Sequence, residues 1–232
     1  MHLGPSVAYN EIIQPQEVFM TIHKIVVGQL GVNCYVVHDE DALEAAVIDP
    51  GDEFERIADL LDRQGISPKY IFLTHAHYDH VCAAGELKDK YGAAIIMHED
   101  EKETYRMTKA LCLSWGFTEE DFPDPDKLVT EGNKIVLGGS AVEVLHTPGH
   151  TPGSVCFHLE GTLFTGDTLF RRSVGRTDLA GGDSAKLEGS LKRLMSLPPD
   201  TRVYCGHGDE TTIGEELINN PFLSGSRMRF AK

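Results

Sequence analysis

A layered α/β domain is the fold that the sequence predicts, and three observations carry the prediction. Short apolar runs of strand type alternate with amphipathic helical stretches along most of the chain. The apolar runs are nearly continuous, which is the pattern of strands covered on both faces. The 232 residues, 41% hydrophobic and 25% charged, suffice for one globular core.

Residues 21–27 (TIHKIVV) and 33–38 (NCYVVH) read as strands around a glycine-containing turn, and 44–49 (EAAVID) as a third that ends at Pro50-Gly51. Asp52 is placed to cap a helix, with Glu55 three residues on. Phe54, Ile57, Ala58, Leu60 and Leu61 form its apolar stripe, and Gly65 stops it. Residues 70–73 (YIFL) are too short and apolar for an amphipathic helix and read as a buried strand. The chain then enters THAHYDH and a helix that runs to Tyr91, before Gly92. A strand at 94–97, a helix over 99–116 and a linker at Pro123-Asp124-Pro125-Asp126 complete the first half. The second half repeats the rhythm: strands at 134–137, 142–146, 154–158 and 162–165, a helix over 184–196, a strand at 202–205 and a short helix at 211–218.

The domain is expected over residues 20–232. Residues 1–19 contain Pro5, Glu11, Pro15 and Glu17, fit neither a signal nor a transit peptide, and are expected to be a loose extension. A net charge of −15 argues against a general nucleic-acid binder, which needs a basic surface to displace counterions. Cys34, Cys82, Cys112, Cys156 and Cys205 are scattered, with no CxxC, and suggest reduced thiols rather than disulfides or a zinc knuckle. No apolar run reaches membrane-spanning length. The expectation is a cytoplasmic protein with a small-molecule substrate and no nucleic-acid or membrane partner. Histidine is the unusual residue, with 11 in the chain.

The sharpest motif is Thr74-His75-Ala76-His77-Tyr78-Asp79-His80, where an apolar strand gives way to a helix. Such a turn aims side chains into one space that a regular strand or helix would spread apart. Imidazole and carboxylate are ligands of divalent zinc, iron and manganese. Further candidates also follow strands: His150 in HTPGHTPGS, Asp167 in LFTGD and His207 in CGHG. His146 rivals His150 but still belongs to its strand, and Asp178 and Asp183 rival Asp167 without directly following one. Five histidines and two aspartates exceed the needs of one tetrahedral ion and suit two ions bridged by a carboxylate and a water.

These residues resemble the metallo-β-lactamase-fold hydrolase superfamily over about residues 20–222. HxHxDH marks the superfamily. GRTDLAGGD (175–183) and CGHGDETTIGEELINNPFL (205–223) are more selective and resemble the glyoxalase II (hydroxyacylglutathione hydrolase) branch in its short form. The resemblance implies an α/β (α+β) fold, a four-layer αββα sandwich with a metal pair at one edge. It implies that His75, His77 and His150 hold one divalent metal, that Asp79, His80 and His207 hold the other, and that Asp167 bridges them. Zinc is the expected metal, with iron or manganese as alternatives. Asp49, in VIDPG, resembles the family's carboxylate behind the ligands, and equally reads as a residue of a helix-initiating turn.

The implied reaction is hydrolysis of a thioester, possible substrates including glutathione conjugates, because a thiolate leaves without a strong acid. Asp79 is the implied catalytic residue, as a ligand that also orients the attacking water. Arg171, Arg172 and Arg176 are candidate anchors for substrate carboxylates, unless Arg176 pairs with Asp178. Tyr78 and Phe170 line the cleft or simply pack. Cys82 and Cys205 read as small buried fillers. The longer glyoxalase II enzymes continue into a helical part that contacts glutathione, whereas this chain ends soon after NPFL, so the thiol and acyl groups stay open. Persulfide dioxygenases resemble the same branch, including a GRTD segment, and hold one iron by residues that would here be His75, His150 and Asp167. Lactonases of the superfamily carry tyrosine where this chain has Phe170.

Overall fold

The computed structural model describes residues 20–40 and 43–223, so the expectation for residues 1–19 lies outside the described residues. One six-stranded sheet contains β1 (Met20–Val27), β2 (Val32–Asp39), β3 (Glu44–Ile48), β4 (Ser67–Phe72), β5 (Ala94–His98) and β6 (Lys127–Val129), in that order. The other is built from β7 (Lys134–Leu137), β8 (Ser140–His146), β9 (Val155–Leu159), β10 (Thr162–Gly166), β13 (Arg202–Cys205) and β14 (Thr211–Thr212). Its spatial order is β14-β13-β10-β9-β8-β7. A small ribbon, β11 (Leu169–Phe170) with β12 (Ser173–Val174), stands apart. The helices are α1 (Phe54–Gln64), α2 (Tyr78–Val81), α3 (Ala84–Tyr91), α4 (Lys102–Ser114), α5 (Ser184–Leu194) and α6 (Ile213–Asn219).

Side-chain alternation along the strands creates the layers. On β2, Tyr35 and Val37 face the second sheet and meet Phe157, Phe164 and Tyr204 in a shared core. The Phe72 and Phe157 rings stack 4.8 Å apart across it. Cys34 and Val36 point the other way, into a core that includes Ile57 and Leu61 of α1 and Leu87 of α3. The second sheet turns Cys156, Leu163 and Val203 outward beneath Leu187, Leu191 and Leu194 of α5. Each outer core is thus a helix stripe on a sheet face, and the order is αββα, as expected. Among the described residues no helix is long and apolar enough to cross a membrane.

Strand direction places the site. β3, β4 and β5 run parallel, as do β10 and β13. β8 is antiparallel to β9 and β9 to β10, so β8 shares the direction of β10. The loops after these strands therefore gather at one edge, which is where such folds place ligands.

Three expectations need correction. Asp52 does not cap α1: Glu53 holds the N-cap position at φ 53°, no side chain caps it, and the Asp52 carboxylate accepts from the adjacent Glu53 N–H at 2.7 Å. The helix expected to reach Tyr91 is broken into α2 and α3, because the Ala83 N–H leaves the helical ladder to donate to the Pro50 carbonyl at 3.0 Å. Residues 123–126 are irregular, as expected of a linker, but they are followed at once by β6, a strand that was not expected and that forms by pairing with β5. Asp183 has a clear role: its Oδ1 accepts from Ala185 N at 2.9 Å and Lys186 N at 3.1 Å, capping α5. Replacing Asp183 with alanine is expected to cost about 1 kcal/mol in denaturant unfolding and to leave the metal content of the protein unchanged.

Candidate metal centre

The first turn after β4 is held from behind by Asp49. Its Oδ1 accepts from the Thr74 N–H at 2.8 Å, and its Oδ2 accepts from the Thr74 hydroxyl at 2.7 Å. His80 Nδ1 stands 3.0 Å from the same Oδ2 and donates to it, so His80 Nε2 points into the cleft. The Thr74 hydroxyl lies 3.1 Å from His75 Nδ1, and the Arg176 carbonyl accepts from His150 Nδ1 at 2.8 Å. In each case Nδ1 is engaged; Nε2 of His75 and of His80 is left without a partner, and Nε2 of His150 lies within the cluster, 2.9 Å from His77 Nδ1. Of its two sequence readings, Asp49 takes the place of a carboxylate behind the ligands.

The structure brings all seven expected ligands together. His75, His77 and His150 offer ligand atoms within 4.8 Å of one another, and so do Asp79, His80 and His207. Asp167 lies between the groups. Its Oδ2 is 3.7 Å from His150 Nε2, and its Oδ1 is 3.5 Å from His80 Nε2 and 3.7 Å from His207 Nε2. His75 Nε2, His80 Nε2 and Asp167 Oδ1 are buried without a hydrogen-bond partner. Orphaned buried atoms cost roughly 1–3 kcal/mol each, so three converging on one space fit a divalent cation there. The nitrogen and oxygen donor set suits that ion.

Electrostatics divide the groups. Burial pushes the His77 pKa down to about 4 and, with the neighbouring His80, holds His75 well below its ordinary value. Both are neutral imidazoles at pH 7, the form that ligates. Burial also works against a charge on His80, yet Asp167, Asp49 and Asp79 outweigh it and raise its pKa to about 9. Burial opposes ionisation of Asp79 too, but the hydrogen bond from His207 and the charge of His80 bring it to about 2. The carboxylates of Asp49, Asp79 and Asp167 thus set a negative potential around His80, which suits a cation.

Two residues that sequence reasoning passed over shape the centre. Glu101 is fully buried; its Oε2 accepts from Ala76 N at 2.8 Å and its Oε1 from Gly153 N at 2.7 Å. It thereby ties the His75–His77 turn to the loop that carries His150. It lies in the acidic run Glu99-Asp100-Glu101, which in sequence resembles a solvated helix start. Gly206 lies against Asp167, where a Cβ would come 2.4 Å from Oδ1.

The remaining candidates are placed as follows. His146 turns away from the centre; its ring stacks on His98 at 4.0 Å and its Nε2 faces the Pro152 carbonyl at 3.0 Å. Arg176 pairs with Asp178 through two bonds of 2.7 and 2.8 Å, while Arg171 reaches Asp209 and Arg172 reaches Glu215. A cavity of about 720 Å³ opens over the ligands; Tyr78 and Arg176 line it, and Arg171, Arg172 and Phe170 do not. Phe170 packs on the core under α5, with its ring 6.1 Å from that of His207. Cys82 and Cys205 are buried, and burial pushes both thiols up, Cys205 to about 12, which fits the filler reading.

The family model of the Metallo-beta-lactamase superfamily matches residues 27–207. The chain belongs to that superfamily. Within it, an uncharacterised protein of Aquifex aeolicus is 42% identical over 206 residues, covering 88% of this chain and 97% of the relative. The hydroxyacylglutathione hydrolase GloC of Haemophilus influenzae is 38% identical over 210 residues, covering 88% of this chain and 99% of GloC. The crystal structure of BLEG-1 B3 metallo-beta-lactamase superposes with a TM-score of 0.80 at 38% identity, covering 88% of this chain and 100% of that one. TTHA1623 in a di-iron-bound form gives 0.78 at 41%, covering 87% and 100%. ETHE1 from Myxococcus xanthus gives 0.75 at 28%, covering 88% and 85%. Superfamily membership and the His/Asp clusters make this a metal-dependent hydrolase fold with a divalent-metal centre.

Proposed function

We propose that this protein is a thioesterase of hydroxyacylglutathione hydrolase type working with two divalent ions, zinc first, with iron or manganese as alternatives. The observation that carries the reading is the pair of three-residue clusters sharing Asp167. The likeness to GloC over nearly its whole length supports the substrate class, and the di-iron form of TTHA1623 supports the metal count. Five free, buried cysteines support a cytoplasmic setting.

His75, His77 and His150 would hold one divalent cation and Asp79, His80 and His207 the other, with Asp167 facing both, and the pair would supply a hydroxide at neutral pH and polarise a carbonyl oxygen. The chain's own residues do the rest. Asp79 is ionised at any working pH, and its Oδ2, 3.5 Å from His207 Nε2, is placed to accept a hydrogen bond from the attacking water and orient it. Asp49 and the Arg176 carbonyl fix His80 and His150 by their far nitrogens, so the ligands need no reorganisation. A thiolate leaving group needs no strong acid, which agrees with a cavity in which Tyr78, held above its ordinary pKa by burial, lies beside ionised Asp79.

The test is a turnover panel on zinc-, iron- and manganese-loaded protein, with S-lactoylglutathione, other thioesters, a β-lactam and glutathione persulfide. Thioester hydrolysis is expected, and His77→Ala should lower it by more than about 100-fold with the fold retained by circular dichroism. One iron per chain with rapid oxygen uptake on the persulfide would instead make it a dioxygenase.

A further inference from the structure

The outward face of α4 is unusual for a surface helix. Its buried residues are Tyr105, Thr108 and Cys112. Met107, Leu111 and Trp115 follow at four-residue intervals and are 46%, 43% and 53% exposed. That spacing aligns three large apolar side chains along one stripe in solvent. A contiguous exposed apolar stripe is a mark of a ligand groove or of a contact surface.

The stripe continues the metal centre. Met107 and Leu111 line the same cavity of about 720 Å³ as His77, His150, Asp167 and His207. A second cavity of about 370 Å³ shares Leu30, Tyr78 and Asp79 with the first and extends to Trp115 and Phe117. The Trp115 ring packs edge-on against Tyr78 at 5.1 Å. Charge points the same way. Among the described residues lining the two cavities Arg176 is the one cationic side chain, and Asp178 already occupies its guanidinium. Away from the metal ligands an anionic acyl group meets no unpaired lysine or arginine, whereas a hydrocarbon chain meets Met107 and Leu111 in the first cavity and, past Leu30 and Tyr78, Trp115 in the second.

We propose that the acyl arm of the substrate is an unbranched or aromatic hydrocarbon that lies along Met107, Leu111 and Trp115, so that the enzyme prefers apolar acyl thioesters to lactoyl ones. This rests on the thioesterase reading above. The chain-length dependence of kcat/KM tests it, with S-acetyl-, S-butyryl-, S-hexanoyl- and S-octanoylglutathione beside S-lactoylglutathione. The expected rise is about threefold to fourfold per added methylene. A flat or falling series, with the lactoyl thioester still turned over, overturns the proposal and leaves the thioesterase reading standing.

A second measurement is independent of turnover. Trp115 is the single tryptophan of the chain, so intrinsic fluorescence reports on this wall alone. Octanoate should move its emission to shorter wavelength and saturate, while lactate leaves it in place. Hydrolysis of no thioester, together with an octanoate-induced shift, would sink the thioesterase reading but keep the apolar-ligand assignment. Absence of the shift overturns the proposal, and so does emission that moves with protein concentration instead, which would give the face to a second copy of the chain. The outward pair Met107→Ser with Leu111→Ser should abolish both the shift and the chain-length gradient; retention of both overturns it.

Discussion

Asp167→Ala is expected to empty both halves of the metal centre at once and to lower thioester turnover by more than about 100-fold, beyond the loss seen when a group merely supporting a ligand is removed. Among the described residues, Asp167 is the carboxylate that faces His150 on one side and His80 and His207 on the other. His207→Ala should act more narrowly, weakening the group formed with Asp79 and His80 and sparing the three-histidine group. Metal per chain after dialysis, measured beside kcat, separates the two variants. If Asp167→Ala retains the wild-type metal content, the shared role of this residue is wrong.

Glu101 is expected to give the largest combined loss of stability and metal affinity outside the ligands. Replacement by alanine strands the N–H groups of Ala76 and Gly153, both now bonded to its carboxylate. At about 1–3 kcal/mol for each stranded donor, the total is roughly 2–6 kcal/mol in unfolding free energy. Glutamine is the sharper probe. It keeps the volume but offers one acceptor oxygen, so its amide hydrogens are set against one of the two donors. Both loops would relax apart, and zinc affinity should fall about 10- to 100-fold by chelator competition. Glu101→Gln with wild-type affinity would reduce the residue to a helix-start carboxylate.

The sequence made the ligands legible because the segments that carry them come after apolar strands and are set among glycine, proline or threonine. His75, Asp167 and His207 share this placement, and the parallel strand directions bring them to one edge. The layer order was legible from continuous apolar strands and amphipathic helices such as α1, whose stripe of Ile57, Ala58 and Leu61 is buried as its period demands. Elements that exist only by pairing were not legible. Lys127–Val129 has one buried residue and becomes a strand because β5 offers an edge. Glu101 was hidden for the same reason: its partners lie 25 and 52 residues away, and nothing local in an acidic run marks a buried clamp. The pairing of Arg171 with Asp209 and of Arg172 with Glu215 is likewise a matter of tertiary approach.

Two main-chain bonds cross between the sheets at this edge. Val155 N donates to the Thr74 carbonyl at 2.8 Å, and Asn33 N donates to the Gly206 carbonyl at 2.8 Å. Each joins a segment of one sheet to a ligand-bearing loop of the other. The seam is therefore sewn by backbone, and the spacing of the ligands does not wait for an ion to draw the halves together. A nitrogen–oxygen nest of this kind accepts several first-row ions, and their availability weighs beside intrinsic affinity in deciding which is bound. Which one resides there becomes a question of cellular supply and exchange rate, so preparations from zinc-rich and iron-rich growth should differ in content while sharing one backbone.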